Sequence, residues 1–210
     1  MTATREPLAE RLDKWSIRHP HAPVMRRLLG GPVFFWRLGL GRLVARLEIR
    51  HGHLVLLTVT GRSSGQPRHT PVTAHVLGSG TYLWCPYGDR AQWYRNLLAN
   101  PVATVQSTAG PQVVRAVRIE DDAQAVELIS ELRRFDVTFL RSYLDTEGIA
   151  DTPEDIATNR ERLHLLRLEP AEEDGPPPLE ADLVWLWLLP VAAVALRAAR
   201  RFRGLGSRRG

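Results

Sequence analysis

A run of short apolar segments separated by tight turns, between residues 53 and 120, limits the fold more than any other feature. The segments "HLVLLTVT", "TPVTAHVLG" and "TYLWCPYG" are rich in β-branched and aromatic residues, which are typical of strands. The segments "VATVQST" and "QVVRAVRIE", with "AGP" between them, predict a hairpin. Because consecutive strands joined by tight turns pair antiparallel, the pattern predicts an antiparallel sheet or barrel. Strands and helices do not alternate, which argues against a Rossmann fold.

Helical patterns surround these strands. Residues 1–50 have a basic, helical pattern. The stretch "DRAQWYRNLLANP" predicts a short helix that ends before Pro101, and "TPEDIATNR" predicts another. The stretch "DDAQAVELISELRRF" predicts a helix capped by Asp121 or Asp122, and "RLHLLRLEP" predicts a closing strand. The expected fold class is therefore mainly β, or α+β, with flanking helices.

The 210 residues suit one domain with additions at its ends. We expect a helical segment over residues 1–50 and a β domain over residues 51–170. The stretch "EPAEEDGPPPLEAD" is acidic and rich in proline, which predicts a linker over residues 171–182. An apolar and then arginine-rich tail occupies residues 183–210.

Positive charge is concentrated in this tail. Six arginines and no acidic residue follow Asp182, and without them the formal net charge of +5 becomes −1. A nearly neutral body argues against a nucleic-acid-binding face. We therefore expect no nucleic-acid partner.

The apolar part of the tail, "LVWLWLLPVAAVAL", precedes these arginines. It is shorter than the roughly 18–20 residues of a spanning helix and contains Pro190, so a short spanning segment is the weakest interpretation. Peripheral contact with an anionic membrane face through Trp185 and Trp187 is one alternative. The other is packing on the body or on a second subunit of a homodimer. The sequence leaves these two open.

Cys85 is the single cysteine, which excludes an internal disulfide and fits a reducing cytoplasm. The first residues lack the apolar core of a signal peptide. We expect a cytoplasmic protein, with the inner face of the cell membrane as an alternative. The seven histidines show no convincing ligand spacing, so no metal site is predicted.

The loop "GRSSG" has the Gly-x-Ser-x-Gly spacing of a serine-hydrolase nucleophile elbow around Ser63. An elbow needs a helix directly after the serine. Here Pro67 and Pro71 favour extended backbone, and a strand pattern follows. Serine hydrolysis is therefore not expected.

The same loop suits an anion. Gly61 and Gly65 free the backbone, so that successive N–H groups could point into one concavity. The loop and its flank also carry two hydroxyls and two guanidinium groups, on Ser63, Ser64, Arg62 and Arg68. Arginine forms forked hydrogen bonds with phosphate and carboxylate groups. The alternative is a plain turn with two solvated arginines.

Three stretches taken together, "TGRSSGQPRHTPV", "LWCPYG" and "WYRNLLANPVATV", resemble the deazaflavin-dependent nitroreductase family and its F420H2-dependent quinone reductases. The resemblance implies a split β-barrel of the FMN-binding split-barrel type over the coenzyme-binding domain. It also implies an oxidoreductase that uses reduced coenzyme F420.

The resemblance implies two groups of cofactor-binding residues. The first would hold the phosphate and the acidic oligoglutamate tail or lie along the coenzyme, and comprises Arg62, Ser63, Ser64, Arg68, Thr70, Pro71 and Val72. The second would hold the deazaflavin ring or its ribityl chain, and comprises Trp84, Cys85, Pro86, Tyr87, Trp93, Tyr94 and Asn96. For Trp93 and Tyr94, packing of the helix on the sheet is the alternative.

The reaction expected from the resemblance is hydride transfer from C5 of the reduced ring to an electron-poor acceptor. A quinone is the favoured class, and nitroaromatics or enones are adventitious substrates. Tyr87, Tyr94 or solvent would supply the proton. Two alternatives remain: an oxidoreductase that binds FMN in the same barrel, and a non-catalytic, membrane-associated protein that binds a cofactor.

Overall fold

The structure is a computed structural model that describes residues 14–15, 31–49 and 52–188. Its strands are β1 (Glu48–Ile49), β2 (Gly52–Thr60), β3 (Pro67–Leu77), β4 (Gly80–Trp84), β5 (Val102–Ser107), β6 (Gly110–Arg118) and β7 (Leu165–Pro170). Its α-helices are α1 (Gly41–Val44), α2 (Gln92–Ala99), α3 (Asp122–Phe135), α4 (Val137–Glu147) and α5 (Pro153–Thr158). Turns of 3₁₀ helix span Gly88–Arg90, Arg160–Leu163 and Val184–Trp187. Residues 31–37 are also helical.

Six strands close into an antiparallel barrel. They follow the order β2, β3, β4, β7, β6 and β5, and β5 then pairs with β2. At the closure Val59 of β2 lies opposite Arg68 of β3 on one side and Ala103 of β5 on the other. The short strand β1 pairs with the beginning of β2. The predicted split β-barrel with flanking helices is confirmed.

Residues of β4 alternate between two packing layers, as strand geometry requires. Leu83 packs in the barrel interior with Leu57 of β2 and Leu97 of α2. Neither Leu57 nor Leu83 has exposed surface. Tyr82 and Trp84 pack instead against the cluster formed by α3, α4 and α5. The barrel therefore has an interior core and a second core beneath its helices.

Helix α3 begins as its sequence predicts, and Asp121 is the residue that caps it, because its side chain accepts a hydrogen bond from the Gln124 N–H at 2.7 Å. The sequence pattern does not predict helix α4. This helix begins directly after α3 at Asp136, whose side chain accepts from the Phe139 N–H at 3.0 Å. The β-branched pair Val137 and Thr138 weakens the helical pattern at this point, which hides the second helix.

Residues 171–182, which composition predicts to be a linker, lie against the barrel. Thr104 of β5 donates its hydroxyl to the Pro176 carbonyl at 2.5 Å. The side-chain amide of Gln106 donates to the Leu179 carbonyl at 3.1 Å and accepts from the Leu179 N–H at 2.8 Å. We call residues 175–182 the strap. Its contacts with β5 include these hydrogen bonds to its backbone, which proline-rich composition does not reveal.

The strap ends on the helical segment that precedes the barrel. Arg37 forms a forked ion pair with Asp182, with N–O distances of 2.8 and 2.6 Å. The Leu183 N–H donates to the Arg37 carbonyl, and the Trp187 indole donates to the Leu38 carbonyl at 3.1 Å. Residues 189–210, and most of the predicted helical segment before residue 31, lie outside the described residues. Within the described residues, no helix has the length and apolar character needed to cross a bilayer.

Candidate functional site

The loop between β2 and β3 is a compact turn. The Gly61 N–H donates to the Gln66 carbonyl at 2.9 Å, and the Gly65 N–H donates to the Gly61 carbonyl at 2.8 Å. Gly65 has a φ of 66°, a left-handed conformation that favours glycine. Strand β3 follows at once, beginning at Pro67. The loop therefore leads into a strand where a nucleophile elbow would need a helix, as the sequence predicts.

The sequence predicts that N–H groups of the loop could point into one concavity, but several of them donate to partners within the protein. Ser64 and Gly65 both direct their N–H groups to the Gly61 carbonyl, and the Gln66 N–H donates to the Ser64 hydroxyl at 3.3 Å. The Arg62 N–H donates to the side chain of Asn96 at 3.3 Å. These amides are used within the protein, so an anion at this loop would be held by side chains.

Arg62 joins the loop to the beginning of α2. Its guanidinium donates to the Gln92 side-chain oxygen and to the Asn96 side-chain oxygen, both at 3.0 Å. Gln92 and Asn96 are one helical turn apart and therefore share a face of α2. The sequence predicts Asn96 but not Gln92 at the site, although the four-residue spacing places both on this face. The contact brings two predicted site segments together.

Arg68 lies at the beginning of β3, exposed, with its guanidinium 3.5 Å from the Ser64 hydroxyl. Among the described residues, neither Arg62 nor Arg68 forms an ion pair with a carboxylate. Arginines elsewhere are paired: Arg115 with Glu173, for example. Ser63 is exposed at the tip of the loop. We call Arg62, Ser63, Ser64 and Arg68 the cation loop.

The next predicted residues follow Arg68 along β3. Thr70 and Val72 are half-buried and lie on one face of the strand, whereas Pro71 is buried and lies on the other. Val72 packs against the interior core of the barrel. Only Thr70 and Val72 share a face, so the three residues cannot all present their side chains to one ligand.

The structure places two of the residues predicted at the ring, Trp84 and Cys85, in different cores. The Trp84 indole packs edge-on against Phe139 and Tyr143, with ring centroids 5.3 and 4.9 Å away, in the core beneath the helices. Cys85 packs in the interior core of the barrel and has no exposed surface. Trp84 ends β4 and Cys85 follows it, and the two side chains lie in different cores. Pro86 and Tyr87 are half-buried in the loop that follows.

Burial also defines the chemistry of the Cys85 thiol. It raises the pKa of Cys85 to about 12, and the thiol lies 3.7 Å from the Gly88 carbonyl. A thiol that stays protonated and enclosed is not a nucleophile. Cys85 is a core residue in this structure.

Helix α2 presents Trp93 and Tyr94 differently. Trp93 is half-buried, whereas Tyr94 is 1% exposed and its hydroxyl has no hydrogen-bond partner among the described residues. Burial raises the pKa of Tyr94. A buried and weakly acidic phenol is a poor direct proton donor, so packing is the better account of Tyr94. Of the two predicted donors, Tyr87 is the more accessible.

The described residues hold no group of three or more histidine, cysteine or acidic side chains suited to a metal ion.

A family model described as "F420H(2)-dependent quinone reductase" matches residues 34–147, just over half of the chain. The chain belongs to this quinone reductase family. The match contains the cation loop, the β4 segment and α2. The predicted F420-dependent oxidoreductase class follows from this membership, whereas the identity of the acceptor does not. No curated protein matches the chain significantly.

Solved structures with similarity to this family member include proteins of more than one activity. One is titled F420-H2 dependent reductase (FDR-A), with 24% identity, coverage of 55% of this chain and 93% of the other, and a TM-score of 0.36. Another is HutZ, a heme storage protein from Vibrio cholerae, with 15% identity, coverage of 57% and 82%, and a TM-score of 0.38. A third is titled F420 reductase, with 16% identity, coverage of 62% and 92%, and a TM-score of 0.30.

Proposed function

We propose that the protein binds coenzyme F420 at the cation loop and the beginning of α2, and that it reduces a quinone. The reduced deazaflavin supplies a hydride from C5 of its ring when it is bound. The protein supplies the fixed charge, the position of the ring and a site with little water. Nitroaromatics and enones are adventitious acceptors in this proposal.

The observation that carries the proposal is the pair of arginines without described carboxylate partners. Arg62 is held against α2 by Gln92 and Asn96, so its charge is fixed in place. Arg68 stands exposed on the other side of the loop, next to the Ser64 hydroxyl. Two guanidinium groups and two hydroxyls form a donor set that suits phosphate and carboxylate oxygens. Coenzyme F420 carries both groups.

The ring would lie beside the residues that are partly exposed near this loop. Trp93, Tyr87 and Pro86 are half-buried and offer apolar surface. Thr70 and Val72 would lie along the coenzyme on β3. Tyr87 or solvent would then supply the proton to the reduced acceptor.

A fluorescence titration with oxidised coenzyme F420, run beside FMN, tests the proposal. We expect saturable binding of F420, and weaker binding of FMN, because FMN has a phosphate but lacks the acidic tail. Turnover of reduced F420 with a soluble quinone would then distinguish an enzyme from a protein that only binds the cofactor. Tighter binding of FMN than of F420 would favour the FMN alternative.

We also propose that the protein makes peripheral contact with an anionic membrane. Large apolar side chains are exposed on the helical segment and on residues 184–188, which contact it: Phe34, Phe35, Leu43, Leu47, Val184, Trp185, Trp187 and Leu188. We call these the apolar patch. Exposed apolar side chains grouped in this way indicate an interaction surface. The six arginines of the tail follow the patch in sequence and supply attraction to anionic lipid.

A further inference from the structure

His164 has an unusual backbone. It follows the 3₁₀ turn Arg160–Leu163 with φ of 51° and ψ of 45°, and it is the single non-glycine residue with positive φ among the described residues. The left-handed conformation costs a residue with a Cβ about 1–2 kcal/mol, and glycine or asparagine usually occupies it. A histidine in this conformation directs attention to the contacts of its side chain.

The His164 ring packs against Gly88. A Cβ on Gly88 would lie 2.8 Å from Cε1 and 3.0 Å from Nε2 of the ring, so the glycine leaves the space that the imidazole occupies. Gly88 is itself left-handed, with φ of 52°. The ring also contacts Tyr94 of α2 edge-on, with centroids 5.2 Å apart. The His164 carbonyl accepts from the Cys85 N–H at 3.2 Å.

These contacts fall on the loop that carries Tyr87. The Gly88 N–H donates to the Cys85 carbonyl at 3.0 Å, and the Arg90 N–H donates to the Tyr87 carbonyl at 3.1 Å. Because Gly88 and Tyr87 are neighbours in this hydrogen-bonded loop, the position of Gly88 determines the position of Tyr87. The His164 ring also contacts Tyr94, which follows Trp93 directly in α2.

We propose that His164 is a positioning residue that holds the Tyr87 loop and the beginning of α2 in place beside the coenzyme. This inference rests on the proposed function. His164 lies beyond residues 34–147, so the family match does not cover it.

Protonation of His164 would disturb this contact. Burial lowers the pKa of His164, the carboxylates of Asp89 and Glu147 and the Arg162 carbonyl raise it, and Arg118 lowers it. Tyr94 and Cys85 also face this region, and burial raises the pKa of both. Burial is the largest of these effects, so the pKa of His164 lies below its ordinary value, which favours the neutral ring at pH 7. Below its pKa, it becomes a partly buried cation against Gly88 and Tyr94, which favours a displaced loop.

The experiment compares the full chain with His164→Asn, which tolerates the left-handed backbone but removes the ring and its titration. Gly88→Ala disturbs the same contact from the other side, and His53→Asn, at an exposed histidine on β2, is the control. Hydrogen exchange of residues 86–91 is measured without ligand. The Kd for F420 and the pH profile of quinone reduction are measured separately.

We expect faster exchange of residues 86–91 in His164→Asn and Gly88→Ala, with exchange of α3 unchanged. Turnover should fall roughly tenfold, since misplacement of a site group costs up to about 10²-fold. The acidic limb of the wild-type pH profile should be absent in His164→Asn and present in His53→Asn. Unchanged loop exchange and an unchanged pH profile in His164→Asn would overturn the inference.

Failure of the proposed function gives a different result. If the wild-type protein binds no F420, the function is wrong, while the exchange measurement still decides whether His164 positions the loop. If His164→Asn does not fold, Gly88→Ala and the wild-type exchange measured at decreasing pH decide the same question.

Discussion

The ion pairs of individual arginines show which charges are balanced within the protein and which are available to a ligand. Arg115 and Arg133 pair with Glu173 and Asp151, so their charges are balanced within the protein. Arg68 has only a long contact to a hydroxyl, at 3.5 Å, among the hydrogen bonds of the described residues. Removing the Arg68 guanidinium should therefore cost the free protein little stability. For this reason Arg68 is a better probe of the site than Arg62, which is hydrogen-bonded to Gln92 and Asn96.

Arg68→Ala should weaken F420 binding by about 1–3 kcal/mol, the scale of a lost charge-assisted hydrogen bond. Its melting temperature should stay close to that of the wild type. Arg115→Ala is the matched control, and it should leave F420 affinity unchanged. Fluorescence titration checks both variants. Equal affinity of Arg68→Ala and wild type would place the anion site elsewhere.

Elements join residues that are distant in sequence, and the strap is the clearest case. Gln106 binds the backbone of Leu179 with two hydrogen bonds. Gly175 packs so closely on β6 that a Cβ on this glycine would lie 2.8 Å from the side chain of Val113. The Gln106 side chain satisfies both the N–H and the carbonyl of Leu179, and it thereby fixes the strap on β5.

Gln106→Ala should destabilise the protein by about 1–3 kcal/mol, because it leaves partly buried backbone groups of Leu179 without partners. Denaturant unfolding measures the loss, and limited proteolysis should show earlier cleavage within the strap. Gln112→Ala, at an exposed glutamine on β6, is the control and should change neither result. Equal protection of the strap in both variants would contradict its dependence on Gln106.

His75 on strand β3 allows a test of how the stability of the protein depends on pH. Burial lowers the pKa of His75 from 6.5 to about 4, and its ring packs near Gly52 at the beginning of β2. The unfolded chain therefore takes up this proton first as the pH falls. The associated stability is complete above about pH 6.5 and is lost progressively toward about pH 4, by roughly 3 kcal/mol at most.

His75→Leu should flatten the fall in melting temperature between about pH 6.5 and 4. His53→Leu, at an exposed histidine on β2, should keep the wild-type slope. Thermal unfolding across this pH range checks both. Parallel curves for wild type and His75→Leu would show that His75 does not control this loss.

The strands and α3 could be predicted because their signals are local. Apolar and β-branched residues mark β2 and β3, and Asp121 marks the beginning of α3. The rest depends on tertiary contacts. Composition suggests that residues 171–182 are a linker. The hydrogen bonds made by the backbone of Pro176 and Leu179 leave no signal in the sequence, so composition does not reveal that this segment is held on the barrel. The resemblance puts Trp84 and Cys85 together at the ring, whereas the structure places Trp84 in the core beneath the helices and Cys85 in the barrel interior.

At the scale of the whole molecule, Leu47 of the apolar patch and the cation loop lie at opposite ends of β2. The Leu54 N–H donates to the Leu47 carbonyl near the beginning of the strand, and the cation loop follows its last residue, Thr60. The stretch from Leu54 to Thr60 spans about 20 Å at the rise of a strand. A membrane at the patch would therefore leave an acidic coenzyme tail on the aqueous side, away from anionic lipid.

A chain that ends at Asp182 should bind anionic vesicles more weakly, because it loses half of the apolar patch and the six tail arginines. Its affinity for F420 should not change, since the cation loop is intact. Vesicle sedimentation and fluorescence titration measure the two properties. Equal sedimentation of the full and shortened chains would exclude the tail as the anchor, and a change from dimer to monomer would favour packing between subunits.

The ion pair between Arg37 and Asp182 has a practical consequence. It fastens the end of the strap to the first helical segment, which adjoins the end of β2 remote from the cation loop. A reporter protein or an immobilisation handle fused directly after Leu188 would begin on that same side. In surface-coupled measurements of F420 binding, the cation loop should therefore stay unobstructed.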